Sequence, residues 1–221
     1  MSTITIRPFA AVKILTFAAL ALGGCHVTGI RGNGRITTET RIVEDFTSVE
    51  AGGGDMSIVW SNGTPGFKVT TDQNLVDRIE TSKEGKKLRI HSRGQLRPTD
   101  RIKITLSSSS ISGVRLKGAV RFNASNLSGK GFYLEAMGAT RVTVAGTVNE
   151  LMATMSGASR LEAESLETES AELSIAGAGK ANVSASRVLK VSISGAGRVT
   201  YSGNPTVEKH IAGAGSVSSR D

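Results

Sequence analysis

Leu173-Ser-Ile-Ala-Gly177-Ala-Gly-Lys180-Ala-Asn-Val183 is answered eighteen residues later by Val191-Ser-Ile-Ser-Gly195-Ala-Gly-Arg198-Val-Thr-Tyr201. On both sides of the first glycine the apolar residues fall on every second position. A period of two sends alternate side chains to opposite faces of a strand. The stretch therefore predicts two short strands meeting at a corner, with Ile175 and Ala181, or Ile193 and Val199, pointing inward. Glycine supplies the backbone freedom at the bend, and alanine fits where bulk does not.

The corner recurs. Gly-Ala pairs begin at 118, 138, 157, 177, 195 and 213, at steps of 18–20 residues. Two residues before the glycine stand Leu116, Ala136, Met155, Ile175, Ile193 and Ile211; four after it stand Phe122, Val142, Leu161, Ala181, Val199 and Val217. With 38% apolar residues in the chain, twelve apolar hits have odds of about 10⁻⁵. The unit is too short for a propeller blade of about 40 residues. It suits one coil of an all-β parallel β-solenoid, each coil hydrogen-bonded to the next. Lys209 and Ser219 break the flanking apolar columns in the last copy, and the chain ends Ser218-Ser-Arg-Asp221 with no visible cap. An open strand edge of that kind invites self-association.

The first half reads as a looser version of the same scheme. Phe46, Val49, Gly52-Gly53-Gly54, Met56, Ile58 and Trp60 echo strand, glycine corner, strand. Asn62-Gly63 marks a turn, and 74–79 reads as one helical turn or a loop. Leu88 and Ile90, then Ile102, Ile104 and Leu106, resume the alternation. Residues 25–40 read as a linker or a first loose strand, and 41–221 as one domain.

Three features in order carry a resemblance: Arg41-Ile-Val-Glu-Asp-Phe46-Thr-Ser-Val49-Glu50, then Asp72-Gln-Asn-Leu75 with Leu88-Arg-Ile90 downstream, then the serial Ser-Gly-Ala-Gly corners such as 194–197. Over nearly all of 41–221 the chain resembles the head GIN domain family of putative autotransporter adhesins. The resemblance implies a bacterial envelope protein, often a lipoprotein. It implies a right-handed parallel β-helix shaped like the pectin lyases but without their catalytic residues, and a role in adhesion.

The start of the chain reads as an address. Residues 1–13 hold Arg7 and Lys13 and no acid, and 14–22 is apolar except for Thr16. This is the pattern of a secretory signal peptide, and nine residues are too few to span ~30 Å of hydrocarbon. Leu22-Gly-Gly-Cys25 resembles the lipobox of bacterial lipoproteins, and Cys25 is the sole cysteine. That resemblance implies removal of 1–24 and a lipid on Cys25, which anchors the protein to a membrane. His26, where an Asp would retain the protein at the inner membrane, resembles an outer-membrane lipoprotein, periplasmic or surface-facing. The mature chain keeps 25 basic and 19 acidic residues, a formal charge of +6.

Few residues promise chemistry. A single cysteine excludes internal disulfides and CxxC zinc sites. His26, His91 and His210 stand in no ligand spacing, and strands rather than a helix follow the Gly-x-Gly segments, so they are not phosphate loops. Glu162, Glu164, Glu167, Glu169 and Glu172 read as a soluble edge. Lys86, Lys87, Arg89, Arg93, Arg97 and Arg101 form a second basic set, read as the polar face of a strand. No catalytic residues, no metal and no cofactor beyond the lipid are expected.

The informative polar feature lies three residues after each corner glycine: Arg121, Arg141, Arg160, Lys180, Arg198, then Ser216. Coils in register would line five cations along one outer face. Neighbours near 5 Å repel by about 0.8 kcal/mol even in water, and a bound polyanion would relieve that. Aromatics do not interleave with the row, which argues against nucleic acid. The expected function is a non-enzymatic, lipid-anchored envelope module for adhesion or for binding an acidic glycan or lipopolysaccharide. The alternatives are a polysaccharide lyase or hydrolase, which needs converging acids and bases, and a structural envelope protein whose basic row binds nothing.

Overall fold

Alternating apolar and polar residues become strands throughout residues 29–220, the part described by the computed structural model. The expected leader (1–24), Cys25 and His26 lie outside the described residues. The first half supplies β1 (Ile30–Arg31), β2 (Ile36–Arg41), β3 (Ser48–Gly52), β4 (Met56–Asn62) and β5 (Gly66–Asp72). A 3-10 turn at Val76–Arg78 precedes β6 (Ile79–Glu84), β7 (Lys87–Ser92), β8 (Leu96–Arg97) and β9 (Ile102–Ser108). The repeats supply β10 (Gly113–Gly118), β11 (Val120–Gly138), β12 (Arg141–Gly157), β13 (Arg160–Ala163) and β14 (Leu166–Gly177). They end with β15 (Lys180–Ser184), β16 (Val188–Gly195), β17 (Arg198–Ser202), β18 (Thr206–Gly213) and β19 (Ser216–Ser219).

Together these form a β-solenoid of about five turns. One side stacks β10, the end of β11, the end of β12, β14, β16 and β18 as parallel neighbours. A second side stacks the start of β11, the start of β12, β13, β15, β17 and β19. A short third side pairs Leu127 with Gly146 and Gly146 with Leu166. Equivalent residues lie directly above one another. Leu116, Ala136, Met155, Ile175, Ile193 and Ile211 form one inward column, and Phe122, Val142, Leu161, Ala181, Val199 and Val217 another. All but the last member of each column are buried. Burial of one large aliphatic or aromatic side chain stabilises by about 1.5–3 kcal/mol, so the columns are the energetic axis of the fold.

The corners show why glycine is required. From Gly118 to Gly213 each corner glycine has φ between +81° and +121°. A Cβ on Gly195 would lie 2.6 Å from the Gly177 carbonyl oxygen. That same oxygen accepts a 2.9 Å bond from the Ala196 amide. The coils nest backbone on backbone at this point.

The first half departs from the simple repeat. Strands β3 and β4 do join the solenoid through the 52–54 corner. However, β7 and β9 slot beneath them, so the coil built from 48–62 lies between one from 87–108 and one from 113–124. The strands between are antiparallel: β6 on β7, β5 on β9, and β2 on β5. They close this end of the stack by occupying the free edges of β7 and β9. Within the stretch expected to link anchor and domain, β1 pairs with β8 and β2 joins the cap.

Polar contacts knit the cap. Asp72, fully buried, accepts from the Gly34 amide (2.8 Å), the Thr99 amide (2.9 Å) and the Thr99 hydroxyl (2.8 Å). Arg41 donates to the Thr81 hydroxyl (2.8 Å), the Val76 carbonyl (3.0 Å) and the Ile79 carbonyl, and lies over the Phe67 ring. At the opposite end β18 and β19 are paired on one side only among the described residues. Lys209 stands there above Val191 in an inward column and is exposed. An inward-pointing charge on an open edge is a known guard against edge-to-edge pairing.

Gly195→Ala and Gly118→Ala separate the two demands at the corner. Gly118 has φ +92° but no atom within 4 Å of a Cβ, so its replacement is expected to cost about 1–2 kcal/mol of backbone strain. Gly195→Ala adds a backbone clash and should cost about 1–3 kcal/mol more. Urea denaturation reads both; equal losses would show that the coils do not nest. Asp72 gives a second expectation. Burial pushes its carboxyl pKa up, but the bonds from Thr99 and Gly34 outweigh burial and hold it below the ordinary value. This stabilisation is present above the unfolded pKa of about 3.9 and is lost as pH falls through the folded value. Asp72→Asn should lower the melting temperature at pH 7, and its melting temperature should fall less than wild type's between pH 5 and pH 3.

Candidate functional site

Position three after a corner glycine lies between two inward positions, so its side chain faces out. The register places these positions on one line: Arg121 pairs with Arg141, Arg141 with Arg160, Arg160 with Lys180, Lys180 with Arg198, and Arg198 with Ser216. Neighbouring strands are about 4.8 Å apart. Arg121, Arg141, Lys180 and Arg198 are exposed, and Arg160 is half-buried. Among the described residues the four exposed ones make no ion pair, and Arg160 reaches only Glu162, at 3.8 Å. The row continues below Arg121 through Ser57 to Lys103. There it is compensated: Lys103 pairs with Asp100 at 2.7 Å, and beside it Arg101 pairs with Asp55 at 2.7 Å. An open depression of about 580 Å³, lined by Ser57, Lys103 and Arg121 among others, marks this foot of the row.

Two residues further along each strand runs a second outward row that the sequence reading did not single out. It holds Asn123, Thr143, Glu162, Asn182, Thr200 and Ser218 in register. The Asn182 amide donates to Glu162 at 2.7 Å. The signal was present, since all six stand five residues after a corner glycine. Their mixed chemistry hid it.

The other outer side is charge-matched. Arg89, Glu50, Arg115 and Glu135 follow one another across four strands. Arg115 meets Glu135 at 2.7 Å, and Arg89 meets Glu50 at 3.6 Å. Burial pushes the Glu50 carboxyl up, but Lys117, Arg89 and Arg115 outweigh it and leave its pKa lowered. An open groove of about 480 Å³ here is lined by Tyr133, Arg115 and Glu135 among others.

The second basic set is likewise compensated in part: Arg89 by Glu84, Arg93 by Glu80 and Arg101 by Asp55. His91 lies 2.8 Å from Glu80. The five glutamates do not converge. Glu164 pairs with Arg220, Glu169 with Arg187, and Glu167 accepts from Thr147. Among the described residues no three His, Cys, Asp or Glu side chains form a group able to hold a metal, and no helix is long and apolar enough to cross a membrane.

A family model described as "Putative auto-transporter adhesin, head GIN domain" matches residues 45–205. No curated protein matches the chain. Among solved structures the chain is similar to a "putative adhesin" from Bacteroides fragilis, at 20% identity over 86% of this chain and 100% of that one, with a TM-score of 0.71. It is also similar to a "putative lipid binding protein" from Parabacteroides distasonis, at 23% identity over 88% and 100%, with a TM-score of 0.51. A third is a "putative adhesin" from Parabacteroides merdae, at 19% identity over 87% and 99%, with a TM-score of 0.51. Identities this low bear on the fold alone. The family match, by contrast, spans well over half of the chain: the chain belongs to the head GIN domain family, described as "putative auto-transporter adhesin".

Proposed function

We propose that this protein is a non-enzymatic adhesion module of the bacterial cell envelope, held at the outer membrane by a lipid on Cys25, and that its row of cations binds a polyanion. One observation carries the binding: Arg121, Arg141, Arg160, Lys180 and Arg198 stand in register on successive coils, and four of the five have no acidic partner among the described residues. Family membership supports adhesion and an envelope or surface location. Like charges at strand spacing repel. A ligand carrying acidic groups along its length, an acidic glycan or a phosphorylated lipopolysaccharide, would lower that repulsion and displace counterions. The binding element is an extended face and not an enclosed pocket, which fits adhesion to a polymer better than turnover of a small molecule.

The test is an Arg121→Gln/Arg141→Gln/Arg160→Gln/Arg198→Gln variant of the full chain in detergent. It should elute from immobilised heparin at much lower salt than wild type, because binding by exposed charges is screened by salt. It should melt no lower than wild type, since neutralising the row removes repulsion. Unchanged retention would sink the binding role and leave a structural protein. For the anchor, Cys25→Ser is expected to abolish incorporation of labelled fatty acid and to move the protein out of the membrane fraction. Retention of label by the variant would refute a lipid on Cys25.

A further inference from the structure

Resting on that reading, we propose that the ligand is a linear acidic polysaccharide laid parallel to the solenoid axis, each coil offering it one cation and one neutral or hydrogen-bonding side chain. The two rows on this face run side by side. Two strand residues separate them, about 7 Å. Asn123, Thr143 and Thr200 make no side-chain hydrogen bond among the described residues. The coils of Arg121, Arg141 and Arg198 therefore present, at fixed spacing, a charge for a carboxylate and an unclaimed donor or acceptor for a hydroxyl, while Glu162 and Asn182 on the two coils between hold each other.

The repeat distance favours a sugar chain. Coils follow one another at the strand separation of about 4.8 Å. The rise of one hexose residue in an extended polymer is close to that separation. Successive sugars are rotated about the chain axis, so a carboxylate on every sugar brings one to the row at about every second or third coil.

Glu162 argues in the same direction. It interrupts the neutral row, accepts from Asn182 and lies 3.8 Å from Arg160. A carboxylate there repels a densely charged chain such as polyphosphate, yet accepts a hydrogen bond from a sugar hydroxyl. A compact phosphate headgroup would use a few converging cations and would leave the second row idle. The outward positions of these two rows hold no aromatic residue, so the sugars are held by their edges and not by stacked ring faces.

The experiment compares polygalacturonate with inorganic polyphosphate of matched charge, by calorimetry on the full chain in detergent. Wild type should bind polygalacturonate about tenfold more tightly or better. A neutral-row variant, Asn123→Ala/Thr143→Val/Asn182→Ala/Thr200→Val, should lose about tenfold or more on polygalacturonate and almost nothing on polyphosphate. Thr143→Val/Thr200→Val alone preserves strand propensity and should show part of the same loss at an unchanged melting temperature. Wild-type polygalacturonate affinity in both variants would overturn the proposal while leaving the cation row as a binding site. Equal or tighter wild-type binding of polyphosphate would also overturn it, in favour of a phosphate ligand. No binding of either polymer by wild type would instead defeat the parent reading.

Discussion

The contact on which the structure depends is the one between successive corners. A glycine oxygen in one coil accepts the alanine amide of the next, as Gly138 does from Ala158 and Gly157 from Ala178, both at 2.9 Å. The α-carbon above leaves no room for a side chain. This contact fixes translation along the strand as well as separation between coils. A slip of one residue would turn every inward side chain outward. With the corner locked, the apolar columns form, and the outer rows form as their consequence. The third residue of the later corners obeys the same economy of space. A Cβ on Gly197 would meet the Cγ2 of Ile175 at 2.8 Å, and one on Gly215 would meet that of Ile193 at 2.6 Å. Where the inward column holds Leu116, Ala136 or Met155 instead, the matching position carries Val120, Thr140 or Ser159.

A stack of coils has two ends, and this chain treats them differently. The end formed by β7 and β9 is occupied by antiparallel strands and knit by Asp72, Arg41 and Trp60, whose indole donates to the Ser108 hydroxyl at 2.9 Å. Among the described residues nothing pairs with the outer edges of β18 and β19. Its inward residues Val207, Ile211 and Val217 are only partly covered. Lys209 interrupts the inward column that holds Val191. Among the described residues one end is thus closed by chain and the other carries a charge at an inward position, and the long sides are the regular surfaces.

How much of this was legible follows from the range of each signal. The repeating half was legible because its message is local and occurs six times: a period of two, a glycine, a period of two. The cap was not, because antiparallel pairing of Ile36–Arg41 with Gly66–Asp72, and insertion of the 87–108 coil beneath 48–62, are decided by partners tens of residues away. The same distinction divides the charges. The row from Arg121 to Arg198 could be read because repeat offset alone sets it. The set from Lys86 to Arg101 looked equally basic, yet Glu80, Glu84 and Asp55 arrive from other strands to meet three of its arginines.

The charge-matched side bears on the meaning of the unmatched one. Both are built from parallel strands at the same spacing, so either could carry either sign at each step. On one side the chain alternates Arg89, Glu50, Arg115 and Glu135, and each cation lies across from an acid. On the other it repeats the positive sign over five coils. An exposed pair contributes only about 0–1 kcal/mol, so the alternation is no large source of stability, but repetition of one sign works against stability at every step. Repulsion also discourages coils of two molecules from pairing, but that purpose is served at the open end by Lys209 and requires no row along the side. On a scaffold able to cancel charge of one sign at a fixed interval, the proposed polyanion would supply to this face the relief that the chain's own acids supply to the other.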